Sequence, residues 1–185
     1  MMNSKMKRVL KIISNTLVIM VVLLTFLLYG LQLFGMRPYA VLSGSMGSVY
    51  PTGSLIYVSD VDPAALQVND IITFRLKDGT IATHRIIEIV PDEEDSATLR
   101  FRTKGDKNDI ADGALVAFED VVGKPVFGIP YLGYLGNYIS QPRGKIIAIT
   151  VVVAIVLIEI MVGIIVDDEK VKNHRNQTKN EEMLE

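Results

Sequence analysis

Residues 70–90 read DIITFRLKDGTIATHRIIEIV, and the reading of this stretch decides the fold. Its two halves, 70–76 and 80–90, are rich in Ile, Val, Thr and Phe, side chains that suit a pleated, half-buried surface. Between them stands Asp78-Gly79. An Asp-Gly pair between two β-rich runs is a strong short-range hairpin signal, because a tight turn needs positive φ that these residues tolerate. Working outward, residues 54–58 form a short, continuously apolar run bounded by Gly53 and Ser59-Asp60, which suits a buried strand. On the other side, the acidic patch Pro91-Asp92-Glu93-Glu94-Asp95 cannot continue a strand and reads as a loop. Residues 98–103 alternate Leu99 and Phe101 against Arg100 and Arg102, the pattern of a half-buried strand. A last strand pair is expected over 115–118 and 121–127. No stretch between 37 and 144 has the length and period of a helix, so this segment is predicted all-β.

The flanks differ in character. The chain has 185 residues, 49% of them hydrophobic, and a mean hydropathy of +0.33. That is too apolar for an ordinary soluble domain and points to membrane segments. Residues 12–36 carry no charge, and about 20 apolar residues suffice to cross a bilayer core as a helix. One reading is a cleavable secretory signal peptide, with Lys5, Lys7, Arg8 and Lys11 as its basic region. A signal h-region runs about 7–15 residues and ends at a small-x-small site. This run is longer, and Leu31-Gln32-Leu33-Phe34-Gly35-Met36 offers no such pair, which favours a retained anchor. A second apolar run, 146–166, is interrupted only by Glu159. Two spans put both termini on one side, and the basic residues near the first span keep that side cytoplasmic. Lys170, Lys172, Arg175 and Lys179 after the second span agree.

The expected organisation is a cytoplasmic N-terminus (1–11), a transmembrane helix (12–36), an extracytoplasmic β domain (37–144), a second transmembrane helix (145–166) and a cytoplasmic disordered tail (167–185). Glu159 is either a polar contact to the other span, with Asn15 or Thr16 as partner, or a protonated or snorkelling side chain near the cytoplasmic end. Residues 128–136 are apolar and aromatic without period, and either rest on the bilayer surface or belong to the core. The formal net charge of -2 gives no reason to expect a nucleic-acid partner. The absence of cysteine excludes disulfides, zinc thiolate sites and cysteine nucleophiles, and with them a sortase.

Three stretches carry candidate chemistry: Ser43-Gly44-Ser45-Met46, Thr83-His84-Arg85, and the run from Lys104-Gly105-Asp106 through Asn108 to Asp112. Each alone has a bland reading. A Ser-x-Ser bonds nearby backbone in many loops. A lone His in an apolar strand is commonly structural. An Asp-rich loop can be a turn or a calcium loop, although Asp106, Asn108 and Asp112 lack the Glu at position twelve of an EF-hand. Together they are mutually informative. A serine hydroxyl needs a base, His is the side chain suited to that near neutral pH, and an Asp fixes its tautomer. His84 and His174 are the two histidines, and the two-span topology puts His174 across the membrane from Ser45.

Ser45-Met46 just after an N-terminal span, the Thr83-His84-Arg85 strand and the Gly105-Asp106…Asp112 box resemble the type I signal peptidases. The resemblance is to the branch shared by the endoplasmic reticulum, archaea and some Gram-positive bacteria, and extends to Thr52-Gly53-Ser54, Asp70-Ile71-Ile72-Thr73-Phe74 and Ile129-Pro130-Tyr131-Leu132-Gly133. In the larger bacterial branch a lysine stands where this chain has His84. The resemblance implies an all-β extracytoplasmic catalytic domain of the signal-peptidase-like β fold, flanked by two transmembrane α-helices. It implies Ser45 as nucleophile, His84 as general base, Asp112 as the acid of the triad, and Asp106 as a supporting acid, orienting or structural. The Ser45 amide and the Ser43 hydroxyl would line the oxyanion hole, with Met46 beside the substrate.

Two departures stand out. Gly47-Ser48-Val49-Tyr50 intervenes before Pro51, where the family often has an acidic residue and proline directly after the methionine, and Asn69 replaces a usual glycine. The implied reaction is serine endopeptidase cleavage of secretory preproteins after small-x-small sites at the membrane surface, with no metal or organic cofactor. The implied partners are the preproteins and the lipid bilayer, with the need for partner subunits left open. Two rival readings are a non-catalytic membrane-anchored β scaffold and a protease whose base is Lys77 or Lys104.

Overall fold

The computed structural model describes residues 4–91 and 99–182. Most of the loop expected at 91–95 therefore lies outside the described residues. The chain forms two compact units, residues 27–141 and the two long flanking helices.

In the first unit, seven strands form one antiparallel sheet: β1 (Met36–Ala40), β2 (Leu55–Ser59), β3 (Ile71–Arg75), β4 (Ile81–Pro91), β5 (Leu99–Lys104), β6 (Val116–Ala117) and β7 (Val121–Ile129). Their order across the sheet is β1-β2-β7-β3-β4-β5-β6. Two ribbons are thus joined by the last strand in the chain. β7 pairs with β2 through Ile56↔Gly128 and Tyr57↔Phe127, and with β3 through Thr73↔Gly123. The exchange of partners happens at Gly123, whose φ is 151°. A β-carbon there would collide with the Ser59 carbonyl oxygen, so only glycine lets the ribbons approach this closely.

The hairpin expected at Asp78-Gly79 joins β3 and β4. Its loop is one residue longer than a two-residue turn. The Leu76 amide donates to Thr80 and the Gly79 amide to Leu76, each at 2.8 Å. Gly79 alone takes the left-handed conformation, while the Asp78 carboxylate accepts from the Thr80 amide at 2.8 Å. That bond holds the Asp78 carboxyl below its ordinary pKa.

The core follows the strand pattern. Leu66, Ile72, Phe74, Ile86, Phe101 and Val116 form one buried cluster, each worth about 1.5–3 kcal/mol when fully buried. β2 is buried on both faces over Leu55, Ile56, Tyr57 and Val58, as its continuous apolar run predicts. Tyr57 stacks on Phe127 at 4.7 Å between ring centroids. Its buried hydroxyl donates to the Leu27 carbonyl, the partner a buried tyrosine requires.

The strands expected as a last pair, β6 and β7, bond to other partners, β6 to β5 and β7 to β2 and β3, and two further elements depart from the expectation. β1, for which no strand was expected, begins at Met36, the last residue of the first expected span. The span helix α1 (Ser4–Tyr29) stops earlier and a 3-10 turn over Gly30–Phe34 follows it. A short helix, α2 (Leu132–Ser140), lies where no helix was expected. Its formation is tertiary: Gly133 presses so closely on the Ser54 carbonyl that a β-carbon would clash, and the Gly133 amide donates to the Gly53 carbonyl at 2.9 Å. Tyr131, Tyr134 and Tyr138 remain exposed.

The second unit holds α1 as far as Phe26 and α3 (Pro142–Glu182). Two segments, Arg8–Phe34 and Pro142–Ile164, are long and apolar enough to cross a membrane. Over 167–182, where composition suggests a disordered tail, the backbone continues as helix. The apolar segment has already nucleated that helix, and its Lys, Glu, Gln and Arg residues propagate it well. Glu159 makes no hydrogen bond to Asn15 or Thr16. Its Oε2 is buried without a partner among the described residues, and the Thr16 hydroxyl donates to the Ile12 carbonyl at 2.8 Å.

Candidate active site

Ser45 stands in the turn between β1 and β2. The β1–β2 ladder runs on past Ala40, because the Val41 amide donates to Ser54 and the Gly53 amide to Val41, each at 2.8 Å. The chain then reverses through a turn closed by the Gly47 amide on the Gly44 carbonyl at 3.0 Å. Met46 anchors this turn, only 2% exposed. Among the described residues the Ser45 amide itself donates to no acceptor, while the Ser45 carbonyl accepts from the Lys107 amide at 2.8 Å. That bond ties the turn to the loop after β5. Gly105 makes the approach possible: a β-carbon there would stand 2.8 Å from the Ser45 β-carbon and 2.9 Å from Asn108 Nδ2.

His84 projects from the middle of β4, opposite Ile72, with its ring edge-on to Phe74 at 6.1 Å. Its Nε2 lies 3.0 Å from Ser45 Oγ. Its Nδ1 lies 2.6 Å from Asp112 Oδ2. A carboxylate can only accept, so Nδ1 carries the proton and Nε2 is free to accept from the serine hydroxyl. Both side chains are largely shielded, with 15% and 24% exposed.

Asp112 is fixed twice. Its amide donates to the Thr103 carbonyl at 2.9 Å, and the Thr103 hydroxyl donates to Oδ2 at 2.6 Å. Thr103 went unnoticed in the sequence, although it continues the buried phase set by Leu99 and Phe101. Ser43 Oγ lies 3.1 Å from Ser45 Oγ.

Asp106 is not part of this line. Arg85, next to His84 but on the opposite face of β4, grips it with a two-pronged contact: Nε to Oδ1 at 2.9 Å and Nη2 to Oδ2 at 2.7 Å. The hydrogen bonds from Arg85 hold the Asp106 carboxyl below its ordinary range, against the opposing effect of burial. The same contact raises the Arg85 guanidinium further. Arg85 Nη1 also donates to the Asn69 carbonyl at 2.8 Å. Asn69 has φ of 78°, which explains why a glycine suits this position and why Asn, the best non-glycine tolerator of that region, replaces it. Asp106 and Asp112 thus turn to different partners instead of converging as calcium ligands would. The Ser45 hydroxyl meets Ser43 and His84, and neither Lys77 nor Lys104.

A groove of about 410 Å³ opens at this line, running between residues 39–43 and the start of β4. Tyr39, Leu42, Met46, Ile56 and Ile81 give it apolar walls, and Ser45 and His84 stand in it together.

No family model matches the chain. It is 38% identical over 124 residues to signal peptidase I W of Bacillus subtilis, an alignment covering 60% of this chain and 64% of that protein. It is 29% identical over 128 residues to the human signal peptidase complex catalytic subunit SEC11C, covering 64% and 66% respectively. A putative human catalytic subunit, SEC11B, is 30% identical over 104 residues, covering 52% and 61%. The chain therefore spans a little under two thirds of the length of these curated relatives. Their names bear out the resemblance read from Ser45-Met46, Thr83-His84-Arg85 and the Gly105-Asp106…Asp112 box, including its branch.

Proposed function

We propose that this chain is a membrane-anchored serine endopeptidase that removes signal peptides from exported preproteins, with Ser45 as nucleophile, His84 as general base and Asp112 as the acid that orients it. The observation that carries the reading is the unbroken hydrogen-bonded line from Ser45 Oγ through His84 Nε2 at 3.0 Å to Asp112 at 2.6 Å. The named relatives support it independently.

The preprotein lies extended along the groove, with small side chains before the scissile bond. His84 Nε2 takes the Ser45 proton as Oγ attacks the carbonyl carbon. The oxyanion is held by the Ser45 amide and the Ser43 hydroxyl, a donor pair of a kind worth about 2.7–4 kcal/mol for each donor removed. The carbon–nitrogen bond then breaks, and His84 delivers the proton to the leaving amine. Water, deprotonated by His84, attacks the acyl ester on Ser45 and releases the signal peptide's new carboxylate. Asp112 stabilises the imidazolium in both halves without being protonated itself. Asp106 acts through Arg85 as a structural brace.

The same reading assigns residues 12–36 and 145–166 to the bilayer, 37–144 to its outer face, and 1–11 and 167–185 to the cytoplasm. Basic residues flanking the spans support this orientation. Anchoring the site beside the membrane raises the effective concentration of membrane-held signal peptides.

The test is cleavage of a preprotein in reconstituted membranes by the wild type, Ser45→Ala and His84→Ala. Each variant is expected to lose at least about 10³-fold in rate while inserting normally. Cleavage surviving in His84→Ala would remove His84 from its role, and cleavage surviving in Ser45→Ala would leave the β scaffold without catalysis as the better account.

A further inference from the structure

The domain carries a second recess, of about 250 Å³, that shares Ala82 and His84 with the substrate groove. It is bounded by Asp112 and the segment that follows it, by Phe74, and by the end of β3. If the proposed peptidase reading holds, the direction of the substrate is fixed by chemistry. The acyl portion stays on Ser45 in the groove, while the leaving amine must reach His84 Nε2 to be protonated. The chain beyond the cleaved bond therefore departs past His84, and the recess is the next cavity it meets. At about 3.3 Å per residue, the first two residues of the released chain fall beside it.

We propose that this recess is a subsite for the first two residues after the cleaved bond and that it selects acidic side chains there. Its lining joins the apolar Phe74, Ala82 and Ala114 to the cations Arg75 and Lys77 and the carboxylates Asp112 and Asp120. Arg75 and Lys77 are exposed and have no ion-pair partner among the described residues. Elsewhere in the domain Arg85 pairs with Asp106, Arg102 with Glu88 and Lys124 with Asp70, and none of these three lines the recess. Of the two carboxylates that line the recess, Asp112 is engaged by His84 and Thr103, which leaves Arg75 and Lys77 facing Asp120. An acidic residue leaving past His84 meets attraction there, and a basic one meets repulsion.

The experiment uses the full-length protein in phosphatidylcholine vesicles, so that lipid charge does not bias the result. Three preproteins differ only in carrying Glu-Glu, Ala-Ala or Lys-Lys after the cleaved bond. At low salt the wild type is expected to favour Glu-Glu over Lys-Lys by at least about fivefold in kcat/KM, a ratio that shrinks as salt is raised. Arg75→Glu combined with Lys77→Glu is expected to invert the ratio, and Arg75→Gln with Lys77→Gln to bring it near one. A wild-type ratio of one or less overturns the proposal, as does a ratio that either double variant leaves unchanged. Should neither double variant cleave, the wild type decides: a Glu preference that is indifferent to salt overturns the assignment to these cations. Absence of Ser45-dependent cleavage of all three preproteins overturns the peptidase reading, and this subsite with it.

Discussion

Arg85 and His84 are chain neighbours with opposite duties, because successive residues of a strand face opposite ways. His84 turns to Ser45 and Asp112, while Arg85 binds Asp106 through both prongs of its guanidinium. The second contact titrates. Asp106 has its folded-state pKa depressed below the ordinary 3.8, chiefly by the Arg85 hydrogen bonds. A group so depressed contributes its stability fully above the unfolded value and loses it as pH falls through the lower, folded one. Asp106→Asn is therefore expected to lower stability by about 1.5–3 kcal/mol at neutral pH, the worth of hydrogen bonds to a charged group. The gap between variant and wild type closes as pH drops below 3.8. Urea unfolding measured stepwise from pH 7 downward checks this, and a gap that stays constant with pH would remove Asp106 ionisation from the brace. The family resemblance implied Asp112 as the acid of the triad, but spacing alone does not divide the two acids. Asp106 and Asp112 are both plausible partners for His84 on spacing, and only the path of the loop around Gly105 sends one to Arg85 and the other to His84.

Among the elements, β7 holds the most demanding position, since it leaves β2 for β3 at Gly123. Gly123→Ala places a β-carbon against the Ser59 carbonyl oxygen in a conformation that L-residues avoid. A destabilisation of about 2–6 kcal/mol is expected from strain and overpacking together. Gly113→Ala, where a β-carbon would meet nothing within 4 Å, should stay within about 0.5 kcal/mol. Thermal unfolding in detergent distinguishes them, and equal midpoints would mean the crossing tolerates a side chain. The legibility of elements followed their chemistry. The β3–β4 hairpin was readable because Asp78-Gly79 and the β-rich flanks agree with each other. β1 was not, because Met36-Arg37-Pro38-Tyr39-Ala40 is short and Pro38 argues against a strand, acceptable here only because β1 is an edge. α2 escaped because its glycines depress helix propensity while permitting the close contact with Ser54 that holds it. Thr103 escaped as well, since its partner Asp112 becomes a neighbour only after β5 is paired.

At the scale of the whole molecule, the two apolar segments were legible from composition alone, since a run of uncharged residues needs no tertiary context to be recognised. The proposed sidedness can be read directly, because the chain has no cysteine. A single cysteine introduced at exposed Val126 is expected to react with a membrane-impermeant maleimide added outside intact cells, and one at Lys5 only after the membrane is opened. Reversed labelling would invert the orientation. The order of strands has a consequence in time. Ser45 belongs to the β1–β2 ribbon, His84 and Asp112 to the ribbon from β3 to β6, and the strand that clasps them is the last to be synthesised. Elongation at about 5–20 residues per second separates the emergence of Ser45 from that of β7 by several seconds. On the proposed reading, Ser45 and His84 are held together only once β7 has joined the two ribbons, so a half-made copy does not cut the exported chains beside it.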